Sequence, residues 1–157
     1  MIDGSNRAPL LVFGWGNPSR GDDALGPALV DAVAALDLPG VECITDFQLQ
    51  MDDCLELKGR RKVLFVDASK VAAPPFAVEE VQPRKDASFT SHAMTAQAVM
   101  QVYVDIEKEA PPPCQLLGIR GETWGLGEAM SAAAQERLAQ AVQWVKGWAT
   151  DAASPAA

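Results

Sequence analysis

Pro9-Leu-Leu-Val-Phe-Gly-Trp-Gly-Asn-Pro-Ser-Arg-Gly-Asp-Asp-Ala-Leu-Gly26 begins as an apolar run, breaks on glycines and carries two adjacent aspartates in the turn that follows. A short run with no polar alternation suits a strand buried on both faces rather than one with a wet side. Val41-Glu-Cys-Ile-Thr-Asp46 and Lys62-Val-Leu-Phe-Val-Asp67 read the same way, and both end in aspartate. Between the first two runs, Leu25, Leu29, Val33 and Leu36 recur at i+4 and i+3, one apolar stripe of a helix with Pro27 in its first turn.

The same pattern continues downstream. Ala77 to Gln82 predicts an edge strand diluted by Glu79 and Glu80, and a helix is expected from about Ser91 to Glu109. Pro111-Pro-Pro113 stops it, Cys114-Gln-Leu-Leu-Gly-Ile119 reads as a further central strand, and Gly121-Glu-Thr-Trp-Gly-Leu-Gly127 is a glycine-rich loop. The last helix is expected from about Glu128 to Trp148, with Leu138, Val142 and Val145 inward and a frayed tail beyond it. Alternating strands and helices imply an α/β fold: a three-layer, mostly parallel twisted sheet of about five strands with helices on both faces. The 157 residues suit a single domain, with 9–148 as its ordered core.

Composition excludes several functions. A net charge of −8 opposes binding to nucleic acid or to an anionic membrane, since phosphate contacts need Lys and Arg. No stretch is long enough to span a bilayer, and Met1 to Ala8 lacks the apolar core of a signal peptide, so a cytoplasmic protein is expected. Cys43, Cys54 and Cys114 stand too far apart for a thiolate zinc cluster and read as reduced thiols.

In such folds ligands bind beyond the carboxyl ends of the strands, so the loops carrying Asp23, Asp46, Asp67 and Trp124 should share one edge. Gly14 and Gly16 begin like a dinucleotide fingerprint, but its third glycine would fall at Ser19, and Asp22 and Asp23 would repel a pyrophosphate. The turn suits a cation better. An aspartate there is ordinarily a helix cap, yet of two adjacent aspartates one is left free when the other caps. His92 is the only histidine, and a lone histidine is ordinarily a surface or cap residue. Two carboxylates and one imidazole on three loops are nevertheless suitable chemistry for a divalent transition metal with open positions. Trp15, Trp124, Trp144 and Trp148 read as packing or surface aromatics, with Trp124 placed to line a cleft.

Gly14-x-Gly16-Asn17 followed by Gly21-Asp22-Asp23-x-x-Gly26 resembles the signature of the hydrogenase maturation endopeptidases. Phe65-Val-Asp-Ala68, Ser91-His92 and Trp124-Gly-Leu-Gly127 with Ser131 resemble that family's later landmarks, in order. The resemblance implies removal of a C-terminal peptide from the large-subunit precursor of a nickel-iron hydrogenase after nickel insertion. It maps the metal contacts onto Asp23, Asp67 and His92, with nickel supplied by the precursor and no organic cofactor. Asp23, Asp46 and Asp67 are then the candidate catalytic carboxylates, and Asn17, Gln48 and Trp124 the candidate substrate contacts. Whether the peptidase is of aspartic or metal-dependent type stays open, as does the choice of general base.

Two positions depart from the pattern. Ala24 replaces a glycine, and Asp46-Phe-Gln-Leu-Gln50 replaces a glycine- and threonine-rich segment, a variant similar to the branch serving soluble NAD-reducing hydrogenases. Two rival readings use the same residues: a nickel-binding maturation chaperone without enzymatic activity, and a nucleotide-binding α/β enzyme built on Gly14, Gly16 and Asp46.

Overall fold

The computed structural model describes residues 7–85 and 94–153. Its strands are β1 (Leu10–Trp15), β2 (Val41–Asp46), β3 (Lys62–Ser69), β4 (Phe76–Val81) and β5 (Cys114–Arg120), and its α-helices are α1 (Leu25–Ala35), α2 (Ala96–Glu107) and α3 (Ala132–Ala153). Short 3-10 helices cover Gly21–Ala24 and Met51–Leu57. The strands form one sheet in the order β2-β1-β3-β5-β4, parallel throughout except for the β4–β5 pair. This is the expected α/β architecture, with β4 as the expected edge strand.

Each face of the sheet has its own core. Leu10, Val12, Leu64, Val66, Leu117 and Ile119 pack with Leu25, Leu29 and Val33 of α1 and Ala141, Val145 and Trp148 of α3. Leu11, Phe13, Val63 and Phe65 face the other way, onto Val99, Met100 and Tyr103 of α2, Cys54 and Leu57 of the second 3-10 helix, and Leu49 just before it. Adjacent positions on β1 and β3 thus serve opposite cores, so every residue of these runs must be apolar. Each fully buried Leu or Phe contributes roughly 1.5–3 kcal/mol by leaving water.

Several sequence expectations need correction. β2 is half-buried along most of its length, because it is the second edge of the sheet and not a central strand. β3 runs two residues past Asp67, to Ser69, which keeps Asp67 within the ladder opposite Gly118. Leu36 is 43% exposed: α1 ends at Ala35, so the apolar stripe loses its last member. α2 starts at Ala96, where the Thr95 side chain accepts the Ala98 N–H and caps it, while the expected start at Ser91 lies outside the described residues. α3 starts at Ala132 and not Glu128, since Ser131 Oγ accepts the Ala134 N–H at 3.1 Å and Glu128 folds back onto Gly125. It also continues beyond Trp148 to Ala153, carrying Ala149 into the core, where a frayed tail was expected. The three cysteines are free, with Cys54 and Cys114 buried.

Candidate active site

The chain leaves β1 toward β2 by way of α1, whereas it leaves β3 toward β4 and β5 on the opposite side. A crevice therefore opens between the carboxyl ends of β1 and β3, the place where open α/β sheets take their ligands. The turn beyond β1 is pressed against the start of the next helix. Gly16 has φ +149°, and a Cβ there would run into the Asp23 carbonyl. Gly21 has φ +55°, with the Thr123 carbonyl 2.7 Å from where a Cβ would stand. Only glycine allows both approaches. The Gly16 N–H also donates to the Asp46 carbonyl at 3.1 Å, tying the end of β2 to the same turn.

The two adjacent aspartates then separate in role. Asp22 is wholly buried. Its Oδ2 accepts the N–H groups of Glu122 (2.6 Å) and Thr123 (3.1 Å) and the Ser131 hydroxyl (2.7 Å), while Oδ1 accepts the Ser131 N–H at 2.7 Å. Burial pushes the Asp22 carboxyl up, but these donors outweigh it and hold it below the usual carboxylate range. Asp22 thereby fastens the loop of Trp124 to the first turn. Asp23 is half-exposed, and its Oδ2 accepts the Asn17 N–H at 2.7 Å.

Asp67 lies across the crevice, on the sheet face that carries Phe65. Burial pushes its carboxyl up from 3.8, the charge of Asp23 pushes further, and it reaches about 7. The Ala68 N–H and the Trp15 indole N–H donate to it without reversing the rise. Trp15 is itself buried and meets Phe65 edge-on, with ring centroids 5.9 Å apart. At neutral pH Asp67 is thus divided between acid and carboxylate, facing a second carboxyl group. Such a pair can take up and release a proton near neutrality, or hold a cation whose charge offsets the repulsion.

The remaining sequence candidates fall around this pair. Asp46 ends β2 on the far side of β1, accepts the Phe47 N–H at 2.7 Å, and lines a cleft of ≈ 250 Å³ with Gly16, Pro18, Pro27, Thr45 and Phe47. Asn17 spends its side-chain oxygen inside the turn, accepting the Ser19 N–H at 2.9 Å. Gln48 is exposed just before buried Leu49. Trp124 is half-buried under the Lys70 ammonium, 5.1 Å from its ring centroid. His92 lies outside the described residues, as does the expected helix start at Ser91. Among the described residues no three His, Cys, Asp or Glu side chains group closely enough to hold a metal ion. Asp23 and Asp67 by themselves offer two carboxylates.

Sequence reasoning missed two contributors. Trp15 looked like packing; only the β1–β3 register, which sets Gly14 beside Val66, brings its indole next to Asp67. The socket for Asp22 is assembled from residues about a hundred positions downstream, beyond any local signal.

No protein-family model and no curated protein matches the chain. Its fold is nevertheless the one found in solved hydrogenase maturation proteases. The structure is similar to the hydrogenase maturating endopeptidase HybD from E. coli, at 21% identity, covering 92% of this chain and 93% of that one with a TM-score of 0.72. It is likewise similar to the NiFe hydrogenase maturation protease HycI from Thermococcus kodakarensis KOD1, at 20% identity, 93% and 95% coverage and a TM-score of 0.70. A hydrogenase 2 maturation peptidase from a Thaumarchaeota archaeon follows at 22% identity, 88% and 96% coverage and 0.63. At these identities the likeness defines the fold, and the chemistry has to be argued from the site. No described helix is long and apolar enough to cross a membrane.

Proposed function

We propose that this protein is an endopeptidase that removes the C-terminal extension from the nickel-loaded large-subunit precursor of a nickel-iron hydrogenase. The observation that carries this reading is the facing of Asp23 and Asp67 in the crevice between β1 and β3, with Asp67 raised to about 7 by burial and by its neighbour's charge. The branch that serves NAD-reducing hydrogenases is the expected source of the substrate, on the strength of Asp46-Phe-Gln-Leu-Gln50. The hydrogenase maturation proteases that share this fold support the same class of activity.

Asp23, Asp67 and His92 are the proposed contacts to the nickel of the precursor, which belongs to the substrate. Bound there, the ion would dock the C-terminal segment and polarise nearby oxygen. The chain's own residues have separate tasks. Asn17 orients the Asp23 carboxylate through its N–H, and Trp15 orients Asp67 through its indole. A carboxylate, Asp23 or Asp46, takes the proton of the attacking water as its oxygen bonds to the scissile carbonyl carbon. The same carboxyl group then returns that proton to the departing amide nitrogen. Trp124, in the loop that Asp22 fastens to the first turn, is a proposed substrate contact.

Mass spectrometry of a candidate large subunit before and after exposure to the protein tests the reading. The nickel-loaded precursor should lose its C-terminal peptide while the nickel-free form stays whole, and His92→Ala should stop the cleavage. Normal cleavage by His92→Ala would remove the proposed metal contact, and no cleavage of any precursor by the parent protein would remove the activity.

A further inference from the structure

The segment between β2 and β3 is half anchored and half bare. Leu49, Cys54 and Leu57 are buried against the sheet and α2, at 1%, 2% and 0% exposure. Phe47, Met51 and Leu55, four residues apart, are left at 66%, 62% and 54% exposure. Single exposed apolar residues are ordinary; three large ones within nine positions, beginning in the cleft beside Asp46, are an interaction surface in character.

The charge around them is one-sided. Asp46 and Asp52 both push the Asp53 carboxyl up, after burial, so these groups stand near one another. Glu56 is matched by Arg7 and Arg60, but Asp46, Asp52 and Asp53 have no ion-pair partner among the described residues. The nearest cation along the chain, Lys58, is taken by Glu107 at 2.9 Å. A partner covering this face must therefore bring apolar area together with positive charge.

We propose that Phe47, Met51 and Leu55 dock a segment of the hydrogenase precursor in which apolar side chains stand beside Lys or Arg. This rests on the peptidase reading above and adds to it the surface that selects the substrate. Phe47 lines the cleft with Asp46, whereas Met51 and Leu55 lie further along the chain and take no part in the chemical step. Binding energy of that kind sets the Michaelis constant and partner choice rather than the chemical step.

Processing kinetics of the loaded precursor test this. Met51→Ser/Leu55→Ser should raise KM about tenfold with kcat near the parent value, and Met51→Leu/Leu55→Met should keep the parent KM. Asp52→Lys should raise KM at low salt, with the effect fading as salt screens the charge. An unchanged KM in both the serine and lysine variants, or a loss confined to kcat, overturns the docking surface while the peptidase reading stands. A parent protein that leaves every precursor whole overturns both.

Discussion

Asp22 and Asp67 are both aspartates drawn out of water, and the structure shifts their carboxyl groups in opposite directions. Asp22 is wholly buried, receives four donors and stays ionised below the usual range. Asp67 keeps part of its surface, receives two donors and faces the charge of Asp23, and it climbs to about 7. Burial raises both carboxyl groups: at Asp22 the N–H and O–H donors outweigh it, whereas at Asp67 burial is the largest cause of the rise and the charge of Asp23 adds to it. The first arrangement builds a joint and the second leaves a group free to exchange protons.

The largest effect should come from emptying the socket. Asp22→Ala strands the N–H groups of Glu122, Thr123 and Ser131. It should cost about 3–5 kcal/mol in denaturant unfolding, the range for removing one side of a buried charged network. Because the Asp22 pKa is lowered on folding, its contribution is full above about 3.8 and fades as pH falls through the lower folded value. A loss within ±0.5 kcal/mol would reduce the socket to incidental contacts.

Asp67 should respond with the opposite sign. Its folded pKa is raised, so the proton it holds favours the native state below about 3.8, and that contribution is lost as pH rises toward about 7. Asp67→Asn fixes the uncharged form. The variant should gain about 1–3 kcal/mol over the parent at pH 8 and almost nothing at pH 4, while processing stops. Equal stability of the two proteins at both pH values would mean that Asp67 is well solvated.

How much of this was legible in the sequence follows from the range over which each interaction acts. β1 and β3 announced themselves through the unbroken apolar stretches 10–13 and 63–66, and the acidic residues after each stretch pointed to one edge of the sheet. β2 misled, since Val41-Glu-Cys-Ile-Thr reads as a core strand until the order of the sheet leaves it at the margin. The start of α3 was misread because Ser131 acts as a cap through a single hydrogen bond that hydrophobic periodicity does not register. The adjacent aspartates hinted that one would cap and one stay free. What Asp22 caps, a loop a hundred residues away, required the folded chain.

The comparison comes down to whether Asp23 and Asp67 titrate as one unit while Asp22 stands apart. A side-chain carboxyl carbon NMR titration of the full chain, run alongside Asp23→Asn, measures this directly. The account predicts an Asp67 midpoint near 7 in the parent, a lower midpoint once the neighbouring charge is gone, and an Asp22 midpoint below 3.8 in both proteins. An Asp67 midpoint near 4 that ignores Asp23→Asn would contradict it.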